Sequence, residues 1–253
     1  MTEVLLERRD GVAVITLNVP ERRNALTLPI SAALADAVAE CENDQSVHAL
    51  VITGAPPAFC AGADLTALGA AREEGLRKIY AGFLAVANTT LPTIAAVGGA
   101  AVGAGLNLAL AADVRLVGPS ARFDARFLQL GIHPGGGMTW MLQRLVGPQT
   151  ATAMTLFGQK IDAAEAVRTG LALRAIDGDH DALVAAAVDL AKAAAAAPRE
   201  LVQSTKASLR ATSVTDAHAD AVEIELKAQV KSMDSPAFAQ LLAKMRQQIT
   251  SRS

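Results

Sequence analysis

Two stretches of small residues constrain this chain more than any other feature. Phe59-Cys60-Ala61-Gly62-Ala63-Asp64-Leu65 follows a strand-like segment that ends at Gly54. Gly103-Ala104-Gly105-Leu106-Asn107-Leu108 follows another, Thr93–Val97, and each stretch leads into a helix. Small residues let a ligand come close to the backbone, and free N–H groups at a helix start can point at negative charge. Two such turns facing one another would offer a pair of main-chain donors to an oxyanion. Spacing alone leaves open that they are merely tight strand-to-helix connections. Neither stretch fits the dinucleotide pattern GxGxxG or the phosphate loop GxxxxGK.

The rest of the chain supplies the elements around them. Val4–Leu17 reads as two strands about the Asp10-Gly11 turn, and Asn18–Ala25 as a loop carrying Glu21, Arg22 and Arg23. Leu28–Cys41 has helical spacing, Ala49–Thr53 is a short apolar strand, Val114–Val117 is another strand, and Ala104–Ala112 is a short helix. From Gly136 onward the pattern is helical apart from Leu171–Ile176. Strands alternating with helices, then a run of helices, predict an α/β core over 1–195 and a helical C-terminal region over 196–253. No internal repeat is visible. The alanine run Ala193–Ala197 reads as the continuation of a helix up to Pro198, not as a linker.

Charge and cysteine content exclude several function classes. With 23 basic against 25 acidic residues in 253, the net charge of -2 offers no basic face for nucleic acid and no polybasic membrane anchor. A hydrophobic fraction of 51% excludes a disordered chain. The uncharged run Leu91–Ala112 is long enough to raise a membrane span. Its glycines, Pro92 and Asn107 fit a strand, a turn and a helix better. Cys41 and Cys60 form no CxxC pair, so neither a disulfide framework nor a metal site is expected. Met1-Thr2-Glu3-Val4 lacks the features of a secretory signal, and a cytoplasmic location is expected.

Several further motifs stand in register with these turns. They are Pro20-Glu21-Arg22-Arg23-Asn24-Ala25-Leu26, Pro92–Val97, Ala112-Asp113-Val114-Arg115, Ala121-Arg122-Phe123, Leu130-Gly131, Pro134-Gly135-Gly136-Gly137 and Arg144-Leu145-Val146-Gly147. In that order and spacing the chain resembles the crotonase superfamily, also called the enoyl-CoA hydratase/isomerase family. The resemblance implies a spiral core of ββα units, a helical C-terminal trimerisation region and trimers or dimers of trimers. It also implies an acyl-CoA thioester as substrate, with no separate cofactor and no metal. The family binds the thioester carbonyl with two backbone N–H groups and so stabilises an enolate; the matching donors here are Ala63 and Ala104. Ala61, Ala63, Asp64, Leu65 and Thr66 match the lining of the adenine and pantetheine channel, with Ala25 and Leu26 near the same groove. Arg23, in the charged loop, is a candidate for the coenzyme phosphates, and Trp140, with Met138, for the acyl pocket; apolar residues at that spacing also make ordinary core.

The proton-transfer positions depart from the family. Its hydratases use two glutamates, which fall here on Asn107 and Phe127. An amide can hold water or a carbonyl but is no base near neutral pH, and a phenyl ring does neither. His133, just before Pro134, could serve as base or acid, or be a structural histidine. Asp124 could act instead, or form an ion pair with Arg122 or Arg126. Asp113 matches a structural turn residue, and Cys60 has no motif-linked histidine to activate it. An acyl-CoA enzyme, a non-catalytic acyl-CoA carrier and a different crotonase-type reaction all remain open at this point.

Overall fold

The computed structural model describes residues 2–64 and 72–250, in two compact units, Met1–Ala195 and Ala196–Ser253. The first unit begins with strands β1 (Val4–Arg9) and β2 (Val12–Leu17), paired antiparallel across Asp10 and Gly11. Both turn residues have positive φ, 48° and 82°, as a two-residue hairpin requires. Helix α1 (Leu28–Asn43) starts at Thr27, whose Oγ1 accepts from the Ile30 N–H, with Pro29 in its first turn.

The chain then alternates between two sheets. β3 (Ala49–Gly54), β5 (Thr93–Val97) and β7 (Val114–Val117) extend the first, in the order β1-β2-β3-β5-β7-β10, with β10 at Arg174–Ala175. Each of those three is followed by a short strand of the second sheet: β4 (Ala58–Cys60), β6 (Ala100–Val102) and β8 (Arg122–Asp124). The order there is β4-β6-β8-β9, closed by Ile161–Asp162. Parallel strands need crossovers. α2 (Glu73–Asn88) precedes β5, and α3 (Ala104–Ala111) joins β6 to β7. The result is a winding of ββα units, repeated in the backbone although the sequence shows no repeat.

Period-two packing on both faces buries β2, β3 and β5 along almost their whole length. Ala13, Ile15, Leu50, Ile52, Ala95 and Val97 face one core, with α1 and α3 packed into it. Their neighbours Val12, Val14, Ala49, Val51, Ile94 and Ala96 face a second core, covered by Leu183, Val184, Ala187 and Ala191. Those four lie on α6 (His180–Ala195), which follows α4 (Met138–Leu156) and α5 (Ala163–Arg168). A sheet buried on both faces reads as unbroken hydrophobic runs. Gly147, with φ 74°, breaks α4 just before Pro148.

The second unit holds α7 (Arg199–Thr212), α8 (His218–Met233) and α9 (Pro236–Thr250). Leu209, Val230, Leu241 and Met245 on these helices are more than half exposed. The helix preceding this unit ends at Ala195, two residues short of the alanine run's end. No helix among the described residues is long and apolar enough to cross a membrane.

Candidate functional site

The two small-residue turns lie against one another. A Cβ built on Gly105 would stand 2.1 Å from the Cys60 carbonyl oxygen, and one on Gly62 would stand 2.7 Å from that of Val102. Gly62 also has φ 102°, which glycine alone adopts without strain. These glycines let the start of α3 approach the end of β4 to backbone distance.

That approach leaves main-chain donors unused. Ala63 bridges Leu26 in parallel fashion: the Leu26 N–H donates to Gly62 O at 2.7 Å and Leu26 O accepts from the Asp64 N–H at 2.9 Å. In a parallel ladder the bonds go to the residues on either side, so Ala63's own N–H points away from Leu26. Ala104 is the first residue of α3, where an N–H has no intrahelical acceptor. Among the described residues neither N–H donates a hydrogen bond.

Both alanines line one cavity of about 480 Å³, together with Ala61, Asn107, Phe127 and His133. The turns, the start of α3 and the loop after β8 therefore meet as the motifs suggested. Tyr80, Arg126 and Gly135 line it as well. Tyr80, the chain's only tyrosine, is half-buried on α2; no motif surrounds it, and only its place on an amphipathic helix could have flagged it. Among the described lining residues there is no aspartate or glutamate.

Asn107 is buried, and its Nδ2 donates to Gly135 O at 2.8 Å, which holds the Pro134–Gly137 loop against α3. That bond sets the amide's orientation, and its Oδ1 is buried with no hydrogen-bond partner among the described residues. Phe127 is half-buried and packs on the core edge. His133 is exposed, with Nδ1 2.6 Å from Pro134 O. A carbonyl only accepts, so Nδ1 carries the proton of the neutral ring and Nε2 keeps its lone pair.

Other candidates lie elsewhere. Asp124 is buried but does not line the cavity; both Nε and Nη2 of Arg126 donate to its Oδ2, at 3.0 and 2.6 Å, and Lys160 Nζ stands 3.8 Å away. Of its two expected partners the structure selects Arg126, while Arg122 donates to the Pro119 and Ala121 carbonyls. Trp140 is 55% exposed outside the cavity, with the Arg144 guanidinium 3.9 Å above its ring. The first turn of α4 sends its neighbour Met138 inward and Trp140 to the surface. Met138 is core and does not line the cavity either.

Arg23, Ala25, Leu26 and Asp64 form a neighbouring strip and do not line the cavity. Arg23 is exposed, and its carbonyl accepts from the Ala61 N–H at 2.9 Å. Asp64 pairs with Arg22 at 2.7 Å. Buried Asn24 anchors the strip, accepting from the Val19 N–H and donating to the carbonyls of Ala55 and Ala58. Leu65 and Thr66 lie outside the described residues. Asp113 holds the Thr93 N–H and hydroxyl through Oδ2, a structural position. Burial pushes the Cys60 thiol up to about 12, which removes it as a nucleophile near neutral pH. Among the described residues no cluster of three His, Cys, Asp or Glu is placed to hold a metal.

Known proteins resemble this chain in sequence and fold. The model of the family described as enoyl-CoA hydratase/isomerase matches residues 7–243. A Mycobacterium tuberculosis protein named "Probable enoyl-CoA hydratase EchA14" is 56% identical over 249 residues, covering 95% of this chain and 96% of its own. The crystal structure of an enoyl-CoA hydratase from Bacillus anthracis superposes with a TM-score of 0.90, at 26% identity over 98% of this chain and 97% of that one. A Thermobifida fusca protein solved in complex with acetoacetyl-CoA gives 0.82, at 32% identity over 91% and 94%.

Proposed function

The chain belongs to the enoyl-CoA hydratase/isomerase family, and within it we propose that the cavity takes an acyl-CoA thioester and stabilises its enolate on the Ala63 and Ala104 N–H groups. The observation that carries this reading is the pair of donors on one cavity wall that have no hydrogen-bond partner among the described residues. Preorganised main-chain donors of this kind act where negative charge develops, without reorganising during the reaction. The acetoacetyl-CoA held by the Thermobifida fusca relative supports the ligand class.

Proton transfer falls to a group other than a glutamate pair. His133 Nε2 is the candidate base, since Asn107 and Phe127 cannot serve and Asp124 is engaged by two cations. Crotonyl-CoA should therefore bind but be hydrated slowly, and Asn107→Glu with Phe127→Glu should raise hydration, followed as loss of the conjugated thioester absorbance. Failure of crotonyl-CoA to bind in calorimetry would overturn the reading. A second reading, a non-catalytic acyl-CoA carrier, is favoured by the lack of lining carboxylates among the described residues. It predicts tight binding with no exchange of the thioester α-protons in heavy water.

The apolar residues exposed on α7 to α9 support assembly of copies through the helical unit, as trimers or pairs of trimers. Light scattering that returned the monomer mass would remove that expectation.

A further inference from the structure

One formal charge on the cavity wall has no part in the reading above. Among the described lining residues, Arg126 alone is a lysine, arginine, aspartate or glutamate. Its backbone is unusual, with φ 62° in the left-handed region that an arginine rarely enters. The Phe127 N–H donates to Ala125 O at 2.8 Å across it, closing a three-residue turn with Arg126 at the centre. Strain of this kind persists where the surroundings over-determine it, and it gathers at ligand sites.

The guanidinium is only half used. Nε and Nη2 both donate to one oxygen of Asp124, and Nη1 makes no hydrogen bond among the described residues. An arginine has five N–H donors in a planar fork, so a second edge is available. The side chain is 43% exposed while Asp124 is 5% exposed, which places the pair with its anion inward and its cation outward. Lys160 adds a second cation at 3.8 Å, so one buried negative charge faces two positive ones. The surplus positive charge stands at a cavity wall that carries no carboxylate among its described residues. A planar fork held by one carboxylate is preorganised to take another in a charge-assisted pair.

We propose that Arg126 selects acyl-CoA thioesters whose acyl group carries a carboxylate at its far end, with Asp124 as the positioning residue that holds the guanidinium. The inference rests on the acyl-CoA reading of the same cavity. Phosphates of the coenzyme offer similar anionic oxygens, so the test separates the two sources.

Calorimetric titration of the intact chain with succinyl-CoA, butyryl-CoA and free coenzyme A decides the matter, since the two thioesters differ only in a terminal carboxylate or methyl. Glutaryl-CoA and pentanoyl-CoA repeat the comparison one methylene longer. In at least one pair the carboxylated ligand should bind about tenfold tighter or more, the scale of one hydrogen bond to a charged partner. Arg126→Gln should erase that preference, weakening the carboxylated ligand far more than butyryl-CoA or free coenzyme A. Arg126→Gly should do the same and also relieve the backbone, and Arg126→Lys should keep part of the preference. Equal binding within both pairs by the wild-type chain overturns the proposal without any variant. A preference that survives in Arg126→Gln overturns it too, as does an equal loss of free coenzyme A, which would assign Arg126 to the phosphates. If none of the ligands binds, the acyl-CoA reading fails and this inference with it; butyryl-CoA binding without a carboxylate preference sinks the inference alone.

Discussion

The backbone of Leu26 is hydrogen-bonded on either side of Ala63, to Gly62 O at 2.7 Å and from the Asp64 N–H at 2.9 Å, so that the Ala63 N–H points away from Leu26 and has no acceptor among the described residues. Leu26 is itself fully buried and the loop before it is pinned by Asn24. The donor is therefore aimed by main chain and core packing, and the alanine side chain has no part in it.

Removing the other donor tests the pair. Ala104 is the first residue of its helix, a position proline accepts because its N–H lacks an intrahelical partner. Ala104→Pro should lower turnover of any accepted thioester by about a hundredfold or more. Ala104→Gly, which keeps the N–H, should stay within a few-fold of the wild type. Thermal unfolding of both variants shows whether the fold is intact, and equal activity in the two would sink the donor role.

Gly105 tests how close the two turns must come. A methyl group there would meet the Cys60 carbonyl at 2.1 Å, backbone that cannot swing aside. Gly105→Ala should destabilise the fold by about 1–3 kcal/mol, the cost of overpacking a filled core, as read by urea unfolding. A midpoint matching the wild type would show that the turns are looser than this geometry requires.

His133→Ala bears on proton transfer. The side chain is exposed at the cavity and, among the described residues, bonded only to its neighbour's carbonyl, so its removal should not disturb the fold. Turnover should fall by about 10²–10⁴-fold with coenzyme A affinity unchanged. Unaltered turnover would leave the histidine without a catalytic task.

Both cysteines should be silent towards Ellman's reagent in the folded protein at pH 8.5 and both should react in denaturant. Cys41 and Cys60 are buried, and desolvation raises their thiols from 9.0 to about 11 and about 12. The sign for stability follows from which state loses the proton first. From about pH 9 upward the unfolded chain sheds thiol protons that the folded chain keeps, so these groups lower stability as pH rises towards 11 and have no effect well below 9. A fast-reacting thiol in the native protein would contradict that burial.

Local rules were enough for much of the molecule. The Asp10-Gly11 hairpin, the start of the first helix at Leu28, the strands at Ala49 and Thr93 and the two small-residue turns each depend on a few adjacent side chains. Periodicity and turn chemistry act over that same range, which is why these elements were legible. The ββα repetition followed from the family resemblance and not from any local pattern, because it is repeated in backbone path and register while different side chains fill each turn of it. The direction of Asp124, the outward turn of Trp140, the arrival of Tyr80 at the cavity and the half-used guanidinium of Arg126 were decided by tertiary structure alone. Each depends on which distant segment packs alongside, as Gly135 does for Asn107 and Lys160 for Asp124. Sequence determined where backbone donors could be freed; packing decided which side chains would face them.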